Sequence, residues 1–200
     1  MTAGLLSFLA FAFVASVTPG PNNILVLATA ATDGLRATIP LILGIALGFG
    51  VMVTVVGLGL AGPLASHAGL HAMLRWLGAA WMLVLAWQIA RSAAPDPAQR
   101  ARKGAPLGFW GACAFQWVNP KAWVLALATV TTYTVPGEAL VGRILLLAGI
   151  FVVVTLPSTG AWAVLGAGTG RLLSSPGRLR AFNLAMGLLL AASVVPVLLG

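Results

Sequence analysis

The sequence predicts an all-α polytopic membrane protein: six transmembrane helices arranged as two inverted three-helix repeats, with helices one and four broken. Three observations carry that expectation. The 200 residues are 60% hydrophobic and 7% charged, with a mean hydropathy of +1.03, more apolar surface than a soluble domain covers. Apolar stretches near the ~20 residues needed to cross a bilayer recur along the whole chain. Two of them, one in each half, carry proline and asparagine where an uninterrupted helix would run.

The first stretch covers about 3–32 and is interrupted from Pro19 to Asn23. It has no basic leader region and continues past its break, so it does not read as a signal peptide. The second covers about 37–61 and the third about 73–90. The fourth runs over about 107–132 and is interrupted from Asn119 to Lys121. The fifth covers about 143–168, with a kink expected at Pro157, and the sixth about 181–199. The longest polar segment separates the third from the fourth. The chain therefore divides into an N-terminal repeat (1–92), a basic linker (93–106) and a C-terminal repeat (107–200) within one compact membrane domain.

Orientation follows from the basic residues. Of the eleven, eight fall in loops after stretches one, three and five: Arg36, Arg91, Arg100, Arg102, Lys103, Arg171, Arg178 and Arg180. Only Arg75 and Arg143 fall in the other two loops. The positive-inside rule puts the linker in the cytoplasm and both termini outside. A five-span alternative, with one half-helix re-entrant, moves the N-terminus to the other side. The net charge of +8 is thus an orientation signal rather than a nucleic-acid footprint.

Proline removes a backbone donor and clashes with the preceding turn, so each interruption opens a helix. Open backbone at membrane depth is tolerated only where protein or a wet cavity satisfies it. Paired breaks in corresponding positions of two halves point to a solute site near the midplane. Asn22 and Asn23 are expected to cap a new half-helix after Pro21, and Asn119 another that starts at Pro120. Helix N-termini bind carboxylates, and the carbonyls left at Val17, Thr18, Trp117 and Val118 can bind an ammonium group. The candidate substrate-binding residues are Pro19, Gly20, Pro21, Asn22 and Asn23 in the first break, and Gln116, Asn119, Pro120 and Lys121 in the second. The partner implied is a small zwitterionic solute.

Lys121 is the sharpest signal. A lysine at the centre of a span costs about 2.5–3.5 kcal/mol on insertion scales. It must be bound to carbonyls, paired across the fold, paired with substrate, or neutral. Two roles are favoured: counter-ion for a substrate carboxylate, and a proton-exchanging group for coupling. Asp33, beside Arg36 at the end of the first stretch, is a second candidate for coupling or else a local ion pair.

Other chemistry is missing. No P-loop is present, so no ATP use is expected. Nor is there a nucleophile–base pair, and the chain reads as no enzyme and as needing no cofactor. Cys113 is the single cysteine, which excludes an internal disulfide. His67 and His71 have helical metal spacing but no third ligand close by, so no metal is expected. Gly44/Gly48 and Gly166/Gly170 have the spacing of close helix packing, within the chain or in a homodimer.

Taken together, Thr18-Pro19-Gly20-Pro21-Asn22-Asn23, the run from Asp33 to Arg36 and the run from Leu43 to Gly48 resemble the N-terminal signature of the LysE/RhtB amino-acid exporters. The run from Phe115 to Trp123 is similar to that family's fourth-span motif. Phe109-Trp110 followed by Phe115-Gln116 most resembles its cysteine/O-acetylserine branch. The resemblance covers nearly the whole chain. It implies a multi-pass protein of the bacterial inner membrane that exports amino acids or their derivatives, driven by protons. The rival expectations are a passive membrane channel or scaffold, and a membrane thiol or redox carrier.

Overall fold

The computed structural model describes residues 2–60, 68–91, 107–134, 139–172, 175–192 and 194–195. The basic linker 93–106, His67 and Glu138 lie outside the described residues, as do the side chains of His71, Arg75 and Arg171. All regular structure among the described residues is helical, and a helix occurs at each of the six expected stretches.

The first stretch is two helices, α1 (Thr2–Val17) and α2 (Pro21–Asp33), bent by 51° across the break. The second is α3 (Leu35–Val55), which widens into a π-helical turn over Val56–Leu60. Gly34 turns α2 into α3 at φ 83°, an angle that side-chain-bearing residues rarely adopt. The third stretch is α4 (Ala68–Ala90). The fourth is again split, into α5 (Phe109–Gln116) and α6 (Pro120–Tyr133). The fifth and sixth are α7 (Leu140–Leu172) and α8 (Pro176–Ala192).

Leu35–Gly59 and Leu140–Thr169 are each long and apolar enough to cross a membrane, and α1 with α2 makes a third span if the bent pair counts as one. Their outward faces are apolar, as Leu6, Val51 and Val153 illustrate, which suits lipid rather than water. The expected kink at Pro157 does not divide α7, which is one 33-residue helix. Next to the proline, Ser158 and Thr159 donate to the carbonyls of Val154 and Thr155 at 2.8 and 2.7 Å. Serine and threonine hydroxyls commonly accompany proline in this way inside a membrane helix.

The strongest pairings set α7 against α1, α2 and α3, α3 against α5, and α4 against α8. Taken stretch by stretch, these pairings are unchanged when the first three are exchanged for the last three; taken helix by helix, the strong α2–α7 pairing maps onto a much weaker α3–α6 one. The apolar core has two parts. One gathers Leu25, Ile45, Met82 and Phe115. The other gathers Phe8, Phe49, Met52 and Phe151, with its rings edge-to-face at 4.9–5.2 Å. The boundary between them crosses α3 between Ile45 and Phe49, near the middle of that span.

Glycine sets the closest approach. A Cβ at Gly48 would lie 2.6 Å from Cys113 Cα, and one at Gly44 would lie 2.7 Å from Ala112 Cβ. The Gly44/Gly48 pair, expected to serve either internal packing or a dimer face, is spent on α5. Cys113 reinforces the contact by donating to Gly44 O at 3.3 Å. Gly166 likewise faces α2, where a Cβ would lie 3.0 Å from Ala30 Cβ.

This packing makes a matched pair of substitutions informative. Gly48→Ala should lower stability by about 1–3 kcal/mol through overpacking. Gly149→Ala, in open space, should be neutral or stabilise by up to about 1 kcal/mol. Thermal unfolding of the two purified variants in one detergent measures the difference; equal midpoints would contradict it.

Candidate solute-binding site

The first break begins where Pro19 cannot continue α1. Thr18 still bonds back, N–H to Val14 O at 3.0 Å. The chain then runs extended through Gly20, and α2 starts at Pro21, whose missing N–H is no loss at a first helical position. Asn22 and Asn23 therefore do not cap α2. They sit in its first turn, and its N-terminus has no side-chain cap. Their amides do other work. Asn23 Nδ2 donates to Ser16 O and Thr18 O, both at 2.9 Å, tying the end of α1 to the start of α2. Asn22 Nδ2 donates across the fold to Gln116 Oε1 at 2.9 Å, and Gln116 Nε2 donates back to Asn22 Oδ1 at 3.2 Å.

The second break follows the expectation for Asn119. It is the N-cap of α6, its side chain accepts from Lys121 N at 3.1 Å, and Pro120 takes the first position. Lys121 then reaches the first break. Its Nζ donates to Thr18 O at 2.7 Å and approaches Pro19 O at 3.5 Å. Gly20 makes room: a Cβ there would lie 2.8 Å from Lys121 Cδ.

Three of the four carbonyls expected to be free are engaged, those of Val17, Thr18 and Trp117. Val17 O accepts from Trp162 Nε1 at 3.1 Å, and Trp117 O from Trp123 Nε1 at 2.8 Å. Thr18 O holds both Asn23 and Lys121. An indole thus serves each break, because an unpaired carbonyl at membrane depth costs several kcal/mol.

A cavity of about 40 Å³ opens where the two breaks meet, room for a few water molecules. Gly20, Asn22, Asn23, Asn119 and Lys121 line it, together with Ile45 and Phe49 from α3 and Thr155 and Thr159 from α7. Of the residues predicted from sequence, Pro19, Pro21, Gln116 and Pro120 do not line it. Gln116 is fully buried behind Asn22, and Pro19 is exposed at the rim. Asp33 lies away from the cavity at the exposed end of α2, where its carboxylate accepts from Thr32 Oγ1 at 3.3 Å. Ser16, Thr155 and Thr159 were not anticipated; the signal was three hydroxyl residues beside Pro157 in an otherwise apolar span. Among the described residues, Lys121 is the one charged side chain in the lining, which holds no carboxylate.

The Asn22–Gln116 clasp should behave as a unit. Leaving one buried amide unpaired costs about 1–3 kcal/mol, so Asn22→Leu and Gln116→Leu should each lower stability by that amount. The double variant should lose clearly less than the sum of the two. Additive losses in thermal unfolding would mean the two amides are energetically independent.

The chain resembles known proteins along its whole length. Residues 13–198 match the family described as LysE type translocator. A cysteine/O-acetylserine efflux protein of Salmonella choleraesuis (strain SC-B67) is 33% identical over 202 residues, covering 98% of this chain and 99% of that one. The protein of the same description in Escherichia coli (strain K12) is 31% identical over 199 residues, with coverage of 98% and 99%. No solved structure matches. With a broken-helix cavity and a family match over nearly every residue, this chain belongs to the LysE type translocators: it is a helical membrane transporter and not an enzyme.

Proposed function

We propose that this protein exports small amino acids or amino-acid derivatives across the bacterial inner membrane as a secondary transporter, with coupling to protons. The observation that carries the proposal is the meeting of two severed helices around a polar cavity at mid-height of the two long spans. Ile45 and Phe49 are central in Leu35–Gly59, and Thr155 and Thr159 are central in Leu140–Thr169. Transporter sites built from discontinuous helices lie at that depth.

The cavity's chemistry supports the solute class. A substrate carboxylate would meet Lys121 and the uncapped N-terminus of α2, where partial positive charge favours anions. Asn22, Asn23 and Asn119 offer polar contacts to the remainder, held by the glycine and prolines at 19–21 and 116–121. The relatives described as cysteine/O-acetylserine efflux proteins point to small, uncharged side chains. Alternating access would rock the half built from 1–92 against that built from 107–200. The stretch-by-stretch symmetry of the helix pairings supports an inverted repeat, and the distribution of basic residues would put the basic linker in the cytoplasm and both termini outside. Lys121 is the candidate proton-exchanging group, and Asp33, away from the cavity, would act only as an accessory at the end of α2. Cys113 bonds to Gly44 O rather than lining the cavity, which leaves a thiol-carrier reading without a reacting group.

Reconstituted vesicles test this. An imposed pH step should drive uphill movement of cysteine or O-acetylserine, and Lys121→Met should cut the rate by roughly tenfold or more, the loss expected of a charged hydrogen bond. Simple equilibration that ignores the pH step would identify a passive channel. Unchanged flux in Lys121→Met would remove Lys121 from the mechanism.

A further inference from the structure

Among the described residues, the cavity's lining holds a cation without an anion. Lys121 Nζ is held by the carbonyl of Thr18 at 2.7 Å and lies near that of Pro19 at 3.5 Å. These oxygens form a cradle at the severed end of α1; Thr18 and Pro19 are not lining residues themselves, and the cradle is reached through Lys121 and Gly20, which line the cavity. Asn23 fixes it by bonding Thr18 O at 2.9 Å. Gly20 keeps it open, since a Cβ would lie 3.2 Å from the ammonium nitrogen itself. Several other polar groups around the cavity already bond one another or their own helices. Ser16 and Thr155 hydroxyls lie 3.4 Å apart and pair with each other. Thr159 donates to Thr155 O at 2.7 Å, and Asn119 Oδ1 accepts Lys121 N at 3.1 Å.

We propose that the carbonyls of Thr18 and Pro19 form a primary-ammonium site, which Lys121 fills in this structure and which the amino group of the exported solute takes in its turn. This rests on the exporter reading. A zwitterion entering the cavity brings the carboxylate that Lys121 lacks. As the flexible lysine stem swings to that carboxylate, the cradle exchanges one ammonium for another. The carbonyls keep a charged donor, and Asn23 still holds Thr18 O at 2.9 Å while the ammonium groups exchange. The site selects for a free primary amine. Among the described residues the lining holds no acid to pair a second ammonium, so a solute with an additional ammonium on its side chain is disfavoured.

Two arms test the inference. Lys121→Ala removes the part of the side chain equivalent to n-propylammonium. Folded variant in detergent should bind n-propylammonium saturably, read as a rise in its unfolding midpoint and a change in tryptophan fluorescence from Trp162 beside the cradle. Wild type, already filled, should bind it at least about tenfold more weakly. Tetramethylammonium, which has no N–H donor, should bind neither. Lys121→Ser, with the same stem removed, takes its place if the alanine variant does not fold. Absence of binding to the truncated variant, or equal binding to wild type, would overturn the ammonium site. In the second arm, wild-type vesicles receive O-acetylserine or its isomer N-acetylserine, which differ in whether the amine is free. Transport of the first and not the second is expected; equal transport would overturn the exchange. Wild-type vesicles that move neither compound would refute the exporter reading instead, and the first arm would still decide the cradle.

Discussion

The fold depends on one constraint: backbone opened inside a bilayer has to be paired by something else. Pro19 and Pro120 each sever a span, and each severed end exposes carbonyls that no helix satisfies. The protein meets that demand with side chains sent from other elements. Trp162 comes from α7 to Val17 O, Lys121 from α6 to Thr18 O, and Trp123 turns back to Trp117 O. The lysine bond, with the Asn22–Gln116 pair, joins the two breaks as one polar layer between two apolar cores. A site and a structural weak point are the same place, and the residues that repair the second create the first.

The electrostatics of that layer narrow its chemistry. Lys121 has no acidic partner lining the cavity, and burying a charge is costly unless it is paired and hydrogen-bonded. Backbone carbonyls supply part of what it needs, as dipoles do for ions in other membrane proteins. A carboxylate brought by a solute supplies the rest. Binding and charge compensation are then one event.

The sequence made the outline legible where local rules are strong. Proline positions fix where helices stop, and Asn119 before Pro120 reads as a cap because both residues suit that geometry. Asn22 and Asn23 follow their proline instead of preceding it and lie inside the new helix, whose N-cap is Gly20, so the same capping logic failed by two residues. Their amides were free to reach sideways and backward instead. Pro157 was expected to kink α7; the structure keeps a single helix, with Ser158 and Thr159 bonding back to neighbouring carbonyls. Thr155 and Thr159 escaped notice because a hydroxyl in an apolar span most often bonds its own helix, and Thr159 does so as well as lining the cavity.

From the sequence alone came the membrane class, the two interruptions, the family resemblance and the isolated lysine, because hydropathy, proline geometry and motif spacing are properties of neighbours along the chain. Only the tertiary structure decided that Lys121 grips Thr18, that Asn22 clasps Gln116, that Gly44 and Gly48 are filled by α5, and that Asp33 stands apart. Those contacts join residues about a hundred positions apart or on different helices. The direction in which each helix face points depends on how α7 packs against three others at once, and no local pattern encodes that.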